Sequence, residues 1–193
     1  LVMAEMMGLP LVMVICQRGG PSTATVIYSQ QEVNLACFGG NGEGFRVVYS
    51  AAGLQDLYDY TLKAFGTAWR YRIPTLVLSD GYQAKMRTAV TLYDPAERGV
   101  DVGTPQPILG APGTPGRDRP PVHLRNTYNL EEELLALVQE RARFFEALAR
   151  EAAEYESEET QRAEVLLVAH GIVARAARAA AAGWRKRKAA VGF

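Results

Sequence analysis

The chain has 193 residues, 48% hydrophobic and 22% charged, which suits one medium globular domain or one and a half small ones. Basic and acidic residues both number 21, so the charge balance gives no case for nucleic acid or a membrane surface as partner. Two cysteines, Cys16 and Cys37, exclude a disulfide framework and a Cys-rich iron–sulfur cluster within this chain; a reducing, cytoplasmic setting is expected.

Residues 1–16 are apolar but are broken by Glu5, Gly8 and Pro10, so they make neither a basic leader nor the ~20 clean residues of a membrane span. They read as the end of a helix, a Gly8-Leu9-Pro10 turn and a strand over 11–16, apolar throughout as in strands buried on both faces of a parallel sheet. The strand runs into Gln17-Arg18-Gly19-Gly20-Pro21-Ser22-Thr23, an abrupt turn signal. Gly39-Gly40-Asn41-Gly42-Glu43-Gly44 lacks the Lys-Ser/Thr of a phosphate-binding loop and reads as a tight loop. A short strand is expected at 46–49.

From Leu54 the spacing of Leu54, Leu57, Tyr58, Leu62, Phe65 and Trp69 predicts a helix with one core-facing stripe, Gly53 as its cap and Asp56 in its first turn. Pro74 marks the exit. Thr75-Leu76-Val77-Leu78 is the next buried strand, closed by a turn at Ser79-Asp80-Gly81. Strand, helix and strand at this spacing predict a parallel βαβ unit.

Between Asp94 and Pro121 prolines and glycines alternate, which predicts an extended arm rather than a packed element. A helix capped by Asn129, with Glu132 three residues on, is expected to run to about Tyr155 with Leu134, Leu137, Phe145, Leu148 and Ala152 on one face. A strand over 164–171, an Ala-rich helix to about Trp184 and the start of another strand at 191–193 then open a second α/β unit. His170 is expected as a hydrogen-bonded strand-end residue and His123 as exposed; the two are not spaced as metal ligands. Arg185-Lys186-Arg187-Lys188 suits a helix C-terminus, where cations offset the dipole.

The segments "AEMMGLPLVMVICQRGGPST", "QQEVNLACFGGNGEGFRVVYS", "AFGTAWRYRIPTLVLSDGYQAKM", "TYNLEEELLALVQERARFFEALAREAAEYE" and "AEVLLVAHGIVARAARAA", taken in order, resemble the alpha subunits of 2-oxoacid:ferredoxin oxidoreductases. The "LSDGYQAKM" and "YNLEEEL" segments are nearest the branched-chain or 2-oxoglutarate type. Gly39–Glu43 departs from the pattern, lacking the usual His and Asp. The family's Tyr-Pro-Ile-Thr-Pro turn and the glutamate that activates the cofactor are absent and are expected upstream of Leu1.

The resemblance implies an α/β fold with a mainly parallel sheet of the thiamine-diphosphate-binding (pyrimidine-domain) type, incomplete in this chain. The division expected is 1–93 for the C-terminal part of that domain, 94–128 for the arm, 129–160 for the long helix, and 161–193 for the start of a second, transketolase C-terminal-like domain. It further implies coenzyme A-dependent oxidative decarboxylation of a 2-oxoacid, with electrons passed to ferredoxin. Thiamine diphosphate would be shared with a partner subunit, and Mg2+ and an iron–sulfur cluster carried on partner domains or subunits. Beta, gamma and, in some assemblies, delta subunits are the implied partners.

Such a reaction needs a fixed cation for the substrate carboxylate, and a planar guanidinium suits it best. Arg18 is the candidate, at the carboxyl end of a strand where ligands bind in open α/β sheets. By resemblance, Gly19, Gly20, Pro21 and Ser22 shape the substrate wall and this chain supplies no metal ligand; Asn41, in the tight loop, is expected within reach of the cofactor or a partner subunit. The competing reading is a non-catalytic structural or subunit-interaction fragment of the same fold. An unrelated nucleotide-binding protein would need a complete phosphate loop after the first strand, which the sequence lacks.

Overall fold

The computed structural model describes residues 1–24, 26–42, 44–106 and 122–193. The elements run α1 (Val2–Met7), β1 (Val12–Gln17), α2 (Val33–Phe38), β2 (Val47–Ser50), α3 (Leu54–Tyr71), β3 (Thr75–Asp80), α4 (Gly81–Lys85), a 3-10 turn (Pro95–Arg98), α5 (Glu131–Ala152), β4 (Val165–Leu166), α6 (Gly171–Lys186) and β5 (Val191–Gly192). β1, β3 and β2 form a parallel sheet in that order, and β4 pairs in parallel with β5. The parallel βαβ unit expected from the sequence is β2–α3–β3.

β3 is central and buried along its whole length. Its register with β1 and β2 sorts the core into two faces. On one, Leu76 and Leu78 meet Met13, Ile15, Val48 and Ala36 of α2. On the other, Val77 and Tyr49 meet Leu57, Tyr60 and Ala64 of α3. β1 departs from the expectation of burial on both faces: Val14 is 52% exposed and Cys16 is exposed as well. β1 is an edge strand, and α3 seats over Val77 and Tyr49, so only the Val12 end of that face of β1 is covered.

α3 begins after Gly53 with Asp56 in its first turn, as expected, and the Asp56 carboxylate accepts the Ala52 N–H at 2.9 Å. Its core face differs from the expected stripe. Phe65 is 46% exposed, while Ala64, Thr67 and Ala68 go down to the sheet. Close approach of a helix to a sheet favours small side chains there, and the larger Tyr60 stacks on Tyr49 with centroids 5.4 Å apart.

Residues 91–103 lie along α3, and within them 94–103 belong to the stretch expected to be unpacked. The Tyr58 hydroxyl donates to the Tyr93 carbonyl at 2.9 Å, and the Tyr93 hydroxyl donates to Asp59 at 2.7 Å. Gln55 bonds both the N–H and the carbonyl of Thr91. Gly66 leaves room for the Asp101 carbonyl, which a Cβ there would strike. Tyrosine hydroxyls hold the chain just before the arm, and a helical glycine lets the start of the arm pack on α3 at Asp101. The prolines at 107, 112, 115, 120 and 121 lie outside the described residues.

α5 starts at Glu131 with Leu130 at the cap and no side-chain cap bond, so Asn129 does not cap it. Three glutamates, Glu131–Glu133, oppose the dipole instead. The helix stops at Ala152, short of Tyr155, and Leu148 is its fully buried residue. The 164–171 strand is paired over Val165–Leu166 alone, because its partner β5 is itself two residues long. α6 ends at Lys186, and the basic run sits at its C-terminus as expected, with Arg185 paired to Glu158 at 2.7 Å.

Candidate functional site

The carboxyl ends of β1, β3 and β2 are tied together by buried polar side chains. Gln17 ends β1 and donates to the Ser79 carbonyl at 3.2 Å, while its own Oε1 has no partner among the described residues. Asp80 ends β3 and accepts the Gln83 N–H at 2.8 Å. Gln83 Oε1 in return accepts from the Asp80 N–H at 3.1 Å and from the Ser79 hydroxyl at 3.0 Å. This reciprocal pair is a capping box, so Asp80-Gly81 opens α4 rather than forming a simple turn. Its carboxylate is committed to the helix. The remaining Gln83 N–H donates to the Ala51 carbonyl just past β2, at 2.8 Å.

Arg18 follows Gln17 at this end of the sheet, with its backbone in an antiparallel bridge to Tyr28. The Arg18 N–H donates to Glu32 Oε2 at 3.1 Å, the Gly19 N–H to the Ile27 carbonyl at 2.7 Å, and the Gly20 N–H to Gln31 Oε1 at 2.9 Å. Three successive amides of the turn are therefore pinned. Gly19 is buried, whereas Gly20, Pro21 and Ser22 are exposed. The Gly20–Pro21 bond is cis and Ser22 has φ 53°. The Arg18 side chain is half-buried, and its guanidinium makes no ion pair or hydrogen bond among the described residues.

Tyr28 and Tyr82 meet edge to face beside the turn, with centroids 4.8 Å apart, and the Tyr28 ring lies against Gly81. The two tyrosines and Gln31 carry no signal in the sequence, and Glu32 enters only with Gln30 as the Gln-x-Glu element of the family resemblance, with no role attached. The only signal was the "QQE" run, which carried no role until the turn folded back on it.

Asn41 lies elsewhere. It lines a cleft of about 790 Å³ between α1, Gly42 and Gly44, the end of α3 and α5, walled by Met6, Phe45, Leu134 and Phe145. Arg18 is not among its lining residues, so the two candidate positions do not share this cleft. Beneath the loop Arg46 donates to the carbonyls of Ala36 and Gly39 and pairs with Glu5 at 2.5 Å. The Glu5 carboxylate fills the space a Cβ on Gly44 would need. Burial pushes the Glu5 carboxyl above its usual range, outweighing the lowering by Arg46. Burial likewise raises the Cys37 thiol.

His170 is hydrogen-bonded, as expected, but it lies beyond the end of β4, exposed, at the N-cap position of α6 and without a side-chain cap bond. Its Nδ1 is 2.9 Å from the Ser50 hydroxyl and 3.3 Å from Gln30 Nε2. His123 is exposed. Among the described residues no group of three His, Cys, Asp or Glu is placed to hold a metal, and no helix is long and apolar enough to cross a membrane.

Residues 1–160 match the family model described as the thiamine-diphosphate-binding domain of pyruvate flavodoxin/ferredoxin oxidoreductase. The chain belongs to this family. Among curated members of it, the 2-oxoglutarate synthase subunit KorA of Methanothermobacter marburgensis is 38% identical over 95 residues, covering 49% of this chain and 25% of that protein. The ketoisovalerate oxidoreductase subunit VorB of the same organism is 30% identical over 175 residues, 89% of this chain and 47% of that protein. The chain thus spans between a quarter and a half of the length of these oxidoreductase subunits. A solved 2-oxoglutarate:ferredoxin oxidoreductase from Magnetococcus marinus, with 2-oxoglutarate, coenzyme A and succinyl-CoA bound, superposes with a TM-score of 0.71. That match covers 99% of this chain and 37% of the other at 24% identity, and it establishes a common fold.

The residues of this family member do not by themselves suit the diphosphate end of the cofactor. Gly40 and Gly44 are backed by the Glu5–Arg46 ion pair, whose guanidinium is already engaged and leaves no free positive charge for a phosphate, and no metal cluster accompanies them among the described residues. What the chain offers is an arginine on a pinned turn.

Proposed function

We propose that this chain is part of the alpha subunit of a coenzyme A-dependent 2-oxoacid:ferredoxin oxidoreductase, in which Arg18 anchors the substrate carboxylate. Gly19, Gly20, Pro21 and Ser22 form the wall beside it, and Asn41 lies on the side facing the cofactor or a partner subunit. The observation that carries this reading is the contrast within one residue. The Arg18 backbone N–H is held by Glu32, while its guanidinium has no acid against it among the described residues. A guanidinium in that state keeps its planar donors for a carboxylate, and a pinned backbone lowers the entropy lost on binding.

In this reading thiamine diphosphate sits at an interface, with Mg2+ and the iron–sulfur cluster on partner domains or on beta, gamma or delta subunits. Ferredoxin and coenzyme A are the co-substrates. The units 1–93, 94–128, 129–160 and 161–193 keep the roles the sequence implied for them, except that the long helix occupies Glu131–Ala152 and the start of the arm packs on α3. The setting is the reducing cytoplasm, which suits two unpaired cysteines.

The test is steady-state reduction of a low-potential acceptor by the assembled enzyme, wild type against Arg18→Ala. The expected result is a raised KM for the 2-oxoacid. An unchanged KM for every 2-oxoacid would leave the chain a structural part of the subunit and end the anchor reading.

A further inference from the structure

Three consecutive side chains, Gln30, Gln31 and Glu32, reach three different places. Gln31 Oε1 accepts the Gly20 N–H at 2.9 Å, and Glu32 Oε2 accepts the Arg18 N–H at 3.1 Å. Gln30 turns to α6, 140 residues further along the chain, where its Nε2 donates to the His170 carbonyl at 3.2 Å and lies 3.3 Å from His170 Nδ1. The fit at that end is close. Gly171 has φ 59°, and the Gln30 amide together with the Ser50 hydroxyl fills the space a Cβ would take.

We propose that residues 30–32 are a strap that carries the seating of α6 to the Arg18 turn, with Gln30 as its positioning residue. The physical need for a strap lies in the turn. Gly19 and Gly20 permit many backbone conformations, so the direction in which Arg18 points is set by the tethers on its amides. Two of those tethers are the side chains of residues 31 and 32. Their backbone is in turn fixed on one side by α2, which starts at Val33, and on the other by the Tyr28 bridge and the Gln30 bonds. Gln30 is the one of the three that leaves the turn for another element. His170 is held independently by Ser50 at the end of β2, at 2.9 Å, so loss of Gln30 releases the strap while α6 keeps its own tie to the sheet.

The catalytic consequence rests on Arg18 being the carboxylate anchor; the mechanical one does not. The assembled enzyme is therefore compared as wild type, Gln30→Ala, Gln30→Met and Arg18→Ala. Amide hydrogen exchange across residues 17–22 is read beside KM and kcat. Gln30→Met keeps much of the length but has no N–H for the His170 carbonyl, so it should behave as Gln30→Ala does. The expected result for both is exchange faster by about fivefold or more over 17–22 and a KM raised by about fivefold with kcat within twofold. Unchanged exchange over 17–22 overturns the strap whatever the kinetics. A raised KM in Arg18→Ala with wild-type KM in both Gln30 variants overturns the positioning role and leaves the anchor standing. Faster exchange in the Gln30 variants, with wild-type KM in all three, supports the strap and removes the anchor.

Discussion

Glu5 and Arg46 form an ion pair at 2.5 Å, with side chains 4% and 3% exposed, directly under the glycine loop. The two partners are not equivalent. Arg46 keeps two backbone carbonyls, Ala36 and Gly39, whatever happens to Glu5, whereas the Glu5 carboxylate has no other polar partner among the described residues. Arg46→Met should therefore destabilise the protein by about 3–5 kcal/mol, the cost of stranding a buried charge, and Glu5→Gln by clearly less. Denaturant midpoints of the two variants check the order.

The same pair gives a pH dependence. Burial holds the folded-state carboxyl of Glu5 above the ordinary 4.5, so the folded form binds more protons than the unfolded form in the window above that value. The contribution of Glu5 to stability is full below 4.5 and is lost as pH rises through the raised folded value. Glu5→Gln should flatten that part of the stability–pH curve, and a curve of unchanged slope would count against the assignment.

Gly66 faces the Asp101 carbonyl so closely that a methyl group cannot be added without moving backbone. In an exposed helix Gly→Ala would stabilise by helix propensity. Here it should instead cost about 1–3 kcal/mol by overpacking and loosen residues 91–103. Limited proteolysis within that stretch, faster in Gly66→Ala than in wild type, is the measurement.

Gln83 bonds Ser79, Asp80 and Ala51 and is buried. Gln83→Ala should cost about 1–3 kcal/mol by leaving buried polar groups unmatched, and Gln83→Glu should cost more at neutral pH because its carboxylate would face the Ala51 carbonyl. Thermal unfolding of both variants tests the order.

An anchor for the carboxylate reads the part common to every 2-oxoacid. Arg18→Ala should therefore raise KM by a similar factor, about a hundredfold, for short, branched and acidic substrates alike. Arg18→Lys should recover part of it, since an ammonium keeps the charge but not the paired geometry. A loss confined to one substrate would assign Arg18 to side-chain selection.

Local sequence carried much of the fold. The apolar run at 11–16, the Gly53 cap with Asp56, and the 75–78 strand behind Pro74 each lie where the structure has an element. It failed where a partner decided the outcome. Val14 and Cys16 read as buried but sit on an edge, and Phe65 fitted the helical stripe while Ala64 and Ala68 took the sheet. Asn129 offered a cap that the chain did not use.

For the site, the sequence by itself determined the position of Arg18, at the end of an apolar strand and before two glycines, because strand and turn signals are local properties of the chain. Tertiary structure alone decided that Glu32 and Gln31 hold that turn, that Gln30 reaches His170, and that Asn41 faces a cleft Arg18 does not line. The reason is that a hydrogen bond between residues 11 to 140 positions apart leaves no periodicity in the sequence. Such bonds exist only once the sheet has fixed where the two backbones pass.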